Sequence, residues 1–145
     1  MTESESACVF CEILKGTEPS SVVYRDDRCV AFLDIKPINP GHVLVVPSEH
    51  GAGLSDVSEE SAAHMMRVSR KVATALQASG VRCEGVNLFL SDGRAAFQDV
   101  FHVHMHVIPR WQGDGFGLRF SDQYHLRTTR EALEDTAARI KSAIE

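Results

Sequence analysis

The chain has 145 residues, 43% hydrophobic and 24% charged, which suits a single globular domain able to bury a real core. A formal charge of −5 argues against duplex nucleic acid as a partner, because such binders usually carry a basic face, yet it leaves room for a small anion met locally. No apolar run approaches the ~20 residues of a membrane span, and the acidic, polar residues 1–6 resemble neither a secretory signal nor a basic transit peptide, so a cytoplasmic protein is expected.

Residues 1–6 are expected to be disordered. Cys8-Val9-Phe10-Cys11 then opens a short helical segment that Gly16 stops. The Cys-x-x-Cys pair leaves three readings open: a redox dithiol, half of a zinc site, or chance. Ser21–Tyr24 and Cys29–Leu33 read as two strands of a hairpin turned at Asp26-Asp27, with Cys29 buried. Pro37, Pro40 and Gly41 mark an irregular loop, and His42–Val46 is an apolar run that predicts a strand buried on both faces. Ser55–Glu60 carries helix-start chemistry, a Ser or Asp cap followed by acids. That helix should run to about Ser79 and stop at Gly80, with Met65, Val68, Val72 and Leu76 as its buried stripe and His64 at the boundary.

Gly85–Leu90 is a further strand. Ser91–Arg94 is a turn, and Ala95–Asp99 leads into Phe101-His-Val-His-Met-His-Val-Ile-Pro109. Three histidines alternating with apolar residues predict a strand with His102, His104 and His106 on one face, rooted roughly 6.6 Å apart. Val103, Met105 and Val107 would face the core. Such a row has a bland reading, a half-exposed strand face, and two chemical ones. Alternate histidines can share a catalytic zinc, or one imidazole can attack an electrophile while its neighbours hold charged oxygens. Past Pro109 a glycine-rich loop leads to a terminal helix over 128–145, with Thr128 as its cap and Leu133, Ala137, Ile140 and Ile144 as its apolar stripe. The pattern predicts one α+β domain over 1–145, mostly antiparallel, with helices segregated from strands.

The segment His102-Val-His-Met-His-Val-Ile resembles the signature of the histidine triad (HIT) nucleotide hydrolases and transferases. The segments Cys8–Ile13, Phe32–Pro37, Pro40–His50 and Gln98–His102 resemble successive blocks of the bacterial branch, in the same order, so that about residues 8–110 are covered. The resemblance implies a HIT-like fold: an antiparallel sheet of about five strands, one long helix, a short N-terminal helix and a C-terminal helix. It implies that His104 attacks the α-phosphorus of a purine nucleotide conjugate through a covalent nucleotidyl-imidazole, on a phosphoramidate, an adenylylated adduct or a dinucleoside polyphosphate. His106 and Gln98 would contact the phosphate or leaving group, and His42 would be a fourth active-site histidine. Phe10, Ile13, Phe32 and Ile35 would hold the base, and Asp34 the ribose hydroxyls. Cys8, Cys11, His50 and His102 would form a closed, structural zinc site. A homodimer joined through the helix at 58–79 and a strand edge is also implied.

Three positions depart from the pattern. Ser91 stands where many members carry an asparagine on the leaving-group side. Phe97 replaces the usual glycine before the glutamine, and Asp99 places a carboxylate near the phosphate. They bear on substrate choice and on the level of activity. The alternative reading is a purine-nucleotide-binding module with little turnover.

Overall fold

The computed structural model describes residues 7–144; the segment 1–6 and Glu145 lie outside the described residues, and with them the expectation of N-terminal disorder. The chain divides into two compact units, residues 1–115 and 116–145. In the first, five strands form one antiparallel sheet: β1 (Val22–Arg25), β2 (Cys29–Leu33), β3 (Val43–Pro47), β4 (Gly85–Leu90) and β5 (Met105–Arg110), in spatial order β1-β2-β3-β5-β4. Two helices flank it, α1 (Val9–Lys15) and α2 (Glu59–Ala78). This is the expected α+β architecture.

The two faces of the sheet follow from the period of two along its strands. Cys29, Ala31, Val43, Val45, Met105 and Val107 point to one side and meet Met65, Val68, Val72 and Leu76 of α2, the stripe expected from spacing. Each of these four helix side chains is buried, which contributes roughly 1.5–3 kcal/mol apiece. Val30, Phe32, Leu44 and Val46 point to the other side and pack with Phe10, Cys11 and Ile13 of α1. β3 is therefore buried on both faces throughout, as its apolar run predicts.

Local chemistry moves several boundaries. α1 ends at Gly16, whose φ of 80° lets its N–H reach back to the Ile13 carbonyl. α2 starts later than Ser55, because the Asp56 carboxylate closes a separate 3-10 turn onto the Gly53 N–H. Ser58 is the working cap, accepting from the Ser61 N–H at 3.1 Å. The connection between β4 and β5 is a 14-residue excursion rather than a tight hairpin turn, with a 3-10 turn at Arg94–Ala96. Gly41, at φ 97°, precedes His42 where an added Cβ would meet Val81 at 2.8 Å, so glycine alone permits that approach.

The second unit holds α3 (Arg130–Ala143). Its cap is Thr129 rather than Thr128, accepting from the Ala132 N–H at 3.2 Å. The apolar stripe is present but unburied: Leu133, Ile140 and Ile144 are all exposed. Ahead of the helix the Phe120 and Tyr124 rings stack at 3.9 Å. Among the described residues no helix is long and apolar enough to cross a membrane.

Candidate active site and metal cluster

The histidine triplet is not one strand face. β5 begins only at Met105, so His102 and His104 precede it and His106 alone sits on the ladder, opposite Leu44 of β3 and Phe89 of β4. Main-chain partners explain the break. The Val103 N–H bonds to the Gly51 carbonyl, and the His102 carbonyl receives the Nδ1–H of His104 at 2.8 Å instead of a ladder partner. The three rings consequently have separate surroundings.

His102 is fully buried and turns toward α1. Its Nε2–H donates to the Pro47 carbonyl at 2.8 Å, which fixes the tautomer and bares Nδ1. That nitrogen lies 3.5 Å from Cys8 Sγ, 3.6 Å from Cys11 Sγ and 3.2 Å from His50 Nδ1, while Cys11 Sγ to His50 Nδ1 is 3.3 Å. Zinc bonds of ~2.0 Å to nitrogen and ~2.3 Å to sulfur, set tetrahedrally, give ligand edges of about 3.3 Å (N to N) and about 3.6 Å (N to S). The three separations from His102 match those edges, Cys11 to His50 is slightly shorter, and all four atoms lie within 4.8 Å of one another, so this Cys2His2 set fits zinc. Cys8 caps α1 and Cys11 lies in its first turn, while the segment after β3 supplies His50.

His42, His104 and His106 form the second cluster. Buried Nδ1 of His42 accepts the Ile38 N–H at 3.1 Å, so the neutral ring carries its proton on Nε2. That Nε2–H donates to His106 Nδ1 at 2.8 Å, which leaves the His106 proton on its own Nε2. His104 is the reverse: its proton is held on Nδ1 by the carbonyl, and among the described residues no hydrogen bond engages Nε2. Among the described residues no buried side-chain nitrogen or oxygen lacks a partner, so this Nε2 keeps some contact with solvent although the residue is only 2% exposed. The His104 and His106 centroids are 4.8 Å apart, and the Phe10 ring meets His104 edge-on at 5.0 Å.

Burial dominates the electrostatics. It holds the imidazoles of His104 and His42 below their ordinary values, against the pull of Asp34 and, for His104, of the carbonyl bond and Asp99. His106 is driven down to about 4, by burial first and then by repulsion from His104 and His42. All three are neutral near pH 7.

The remaining predicted residues divide. Asp34 follows β2, with Oδ1 taking the Lys36 N–H at 2.8 Å and Oδ2 standing 3.7 Å from His42 Nε2. Ile35 beside it is 94% exposed. Phe10, Ile13 and Phe32 are core side chains of the α1 face, buried together, and Ser91 is buried at the end of β4. Gln98 is engaged on both sides of its amide. Both its amide hydrogens are committed, Nε2 to the Ala52 and Val100 carbonyls at 2.6 and 3.1 Å, and Oε1 takes the Gly93 N–H at 2.8 Å. It braces the β4–β5 connection and has no donor left for a phosphate. A three-histidine metal centre built on the triplet is also not formed, because His102 and His104 direct their nitrogens to different partners.

Sequence reasoning missed the carbonyl of Pro47 and the N–H of Ile38, and the resemblance implied a main-chain carbonyl behind His104 without saying that His102 would supply it, since main-chain groups leave no mark on residue type. It also missed a Tyr24–Asp26–His64 group, where burial raises the Asp26 carboxyl but bonds from His64, the Arg28 N–H, Tyr24 and the Cys29 N–H bring it down to about 2. His64 bordering the α2 stripe, across from the Asp26-Asp27 turn, was the available signal.

The model of the HIT domain family matches residues 15–113. An adenosine 5′-monophosphoramidase of Candida albicans is 32% identical over 145 residues, covering 94% of this chain and 95% of that one. A HIT family protein of Bacillus anthracis superposes with a TM-score of 0.86 at 37% identity, over 95% of this chain and 97% of that one. A zinc-bound histidine triad family protein of Mycobacterium smegmatis does so at 0.75 and 37%, over 97% and 100%. With the family model spanning more than half of the chain and relatives above 30% identity covering nearly all of it, the chain belongs to the HIT family.

Proposed function

We propose that the protein is a nucleotide hydrolase or transferase that attacks the α-phosphorus of a purine nucleotide conjugate, with His104 Nε2 as nucleophile. The observation that carries this reading is the 2.8 Å bond from His104 Nδ1 to the His102 carbonyl. It parks the single ring proton on Nδ1 and leaves the lone pair on the nitrogen that keeps contact with solvent. The phosphoramidase activity of the Candida albicans relative supports a phosphoramidate as the first substrate to try.

The chemistry runs in two displacements. As Nε2 bonds to phosphorus, the phosphorus–nitrogen bond breaks and the amine leaves, taking one proton from solvent. The ring is then a cationic N-phosphorylated imidazole, and its Nδ1–H on the carbonyl disperses that charge. Water next adds to phosphorus, releases one proton to solvent and expels the neutral imidazole, yielding the nucleoside monophosphate. His106 Nε2–H donates to a phosphate oxygen throughout, and His42 keeps that proton on Nε2 by occupying Nδ1. Asp34 Oδ2 accepts from the ribose hydroxyls. Phe10, Ile13 and Phe32 form an apolar floor, Ile35 covers the base, and Ser91 faces the leaving group. Gln98 acts as a positioning residue for this loop.

Cys8, Cys11, His50 and His102 would hold a zinc ion, which with four protein ligands would supply rigidity rather than water activation. A homodimer is part of the proposal: the β4 edge exposes Leu88 and Phe89, and α2 exposes Met66, apolar groups suited to a second copy. The test is rapid quenching with an adenosine phosphoramidate and intact-mass detection. One AMP should appear on the wild-type chain and none on His104→Ala. Turnover that persists in His104→Ala would overturn the reading, and nucleotide binding with no turnover in the wild type would favour the binding-module alternative.

A further inference from the structure

The β2–β3 connection, residues 34–42, carries both Asp34 and His42, so whatever holds it sets the geometry of that flank of the site. Inside it the Asp34 N–H bonds to the His42 carbonyl at 2.9 Å, the His42 N–H to the Asn39 carbonyl at 3.0 Å, and the Ile38 N–H to His42 Nδ1 at 3.1 Å. Among the described residues, only the Asn39 side chain hydrogen-bonds from residues 35–41 to the chain beyond this connection. Its Nδ2 donates to the Pro109 carbonyl at 2.9 Å and to Asp114 Oδ2 at 2.8 Å. Both partners only accept, which fixes the orientation of the amide, and the residue is 4% exposed.

The anchor is rigid. Asp114 lies past β5 between Gly113 and Gly115, at φ 78° and 83°, and its carboxylate is 2% exposed. Arg110 meets it with two nitrogens, Nε on Oδ2 at 2.6 Å and Nη2 on Oδ1 at 2.8 Å, while Nη1 donates to Asn87 Oδ1 of β4 at 2.6 Å. Burying a charge pair is a weak source of stability, because desolvating both ions offsets most of their attraction. What this pair does supply is direction. A carboxylate engaged on both oxygens holds the Asn39 amide in one place.

The effect reaches the histidines through a main-chain N–H. With the Ile38 N–H on Nδ1, neutral His42 carries its proton on Nε2 and donates to His106 Nδ1 at 2.8 Å, which leaves the His106 proton on Nε2. Without that N–H either nitrogen of His42 could hold the proton, and the Nδ1–H form has nothing to give His106. Resting on the proposed phosphoryl chemistry at His104, we infer that Asn39 is a positioning residue for the reaction. Seated on the Arg110–Asp114 pair, it keeps the Ile38 N–H on His42 and so sets the order of protons that leaves His106 donating from Nε2.

Asn39→Ala removes the tie while Arg110 and the Trp111 N–H still engage Asp114. Imidazole nitrogen NMR of the full chain near neutral pH should show His42 protonated on Nε2 alone in wild type, and on either nitrogen in exchange in Asn39→Ala. With an adenosine 5′-phosphoramidate, kcat should fall roughly tenfold at little-changed KM. In a His42→Phe background, which has no tautomer to set, Asn39→Ala should cost nothing further. A purely structural tie would leave the His42 tautomer unchanged and lower kcat equally in both backgrounds, and either result overturns the inference. Asn39→Ser, which keeps one short donor, should act in the same direction with smaller amplitude, and it replaces the alanine variant if that one does not fold. If the wild type turns over no phosphoramidate, the hydrolase reading fails by itself. The spectra then decide the tie, and His42 protonated on Nε2 alone in both variants sinks it.

Discussion

His102 and His104 are two residues apart, share one residue type and are almost equally buried, yet their side chains stand in opposite chemical states. His102 gives its Nε2–H to Pro47 and turns a bare Nδ1 toward two thiols and His50. His104 gives its Nδ1–H to the carbonyl of His102 and turns a bare Nε2 toward solvent. The first arrangement is closed and suits a metal with no open position; the second leaves one lone pair for an incoming electrophile. What distinguishes the two rings is which nitrogen a neighbouring carbonyl has taken. The two clusters are also joined, since the residue whose ring belongs to the first carries the carbonyl that orients the second.

The comparison breaks most sharply if the roles can be exchanged. Replacing His104 with alanine should lower turnover by at least ~10³-fold while nucleotide affinity measured by calorimetry stays close to wild type. Chelation, or Cys11→Ala, should act on the other cluster: Tm should drop by about 10 °C or more in differential scanning calorimetry, with turnover falling as a consequence of lost order. A chelator that abolishes activity at unchanged Tm would give the metal a catalytic role and contradict the division. His42→Phe removes the donor that holds His106 in its tautomer, and kcat should fall roughly 10²-fold with little change in nucleotide affinity. His42→Gln, which restores an N–H donor, should recover part of that loss.

Acid titration sharpens the picture further. An unfolded imidazole takes its proton near the ordinary 6.5, whereas His106 in the fold does so only near 4. Between those values the unfolded chain binds more protons, so stability present above pH 6.5 is lost as pH falls toward 4. The decline of Tm over that interval should be shallower in His106→Asn than in wild type; parallel curves would mean the ring titrates normally. The smallest effect is expected at the ribose side, where Asp34→Asn should weaken nucleotide binding about tenfold.

Much of the scaffold was legible because its signals are local. The α2 stripe at Met65, Val68, Val72 and Leu76 follows from helical spacing, and the doubly buried β3 from an unbroken apolar run. The metal set was legible only through the resemblance, since Cys-x-x-Cys offers two ligands and any of seven histidines could complete it. Alternation misled at the triplet, where Val103 and Met105 do enter the core but side-chain and carbonyl partners hold His102 and His104 off the ladder. The surroundings of Gln98 were not legible for a related reason: nothing in its neighbours along the chain reveals that Ala52, Val100 and Gly93 would engage its amide.

Residue order by itself determined which side chains are apolar, where helices and strands can start, and that three imidazoles fall close together. Periodicity is a property of neighbours along the chain, so these needed no fold. Tertiary structure alone decided which nitrogen of each imidazole is protonated, which side chains surround each ring, and that Phe97 is exposed at a positive φ. Each of those depends on a main-chain group or a loop brought from far away in the sequence. A carbonyl has the same chemistry whatever residue bears it, so its influence becomes visible only when the chain has folded around it.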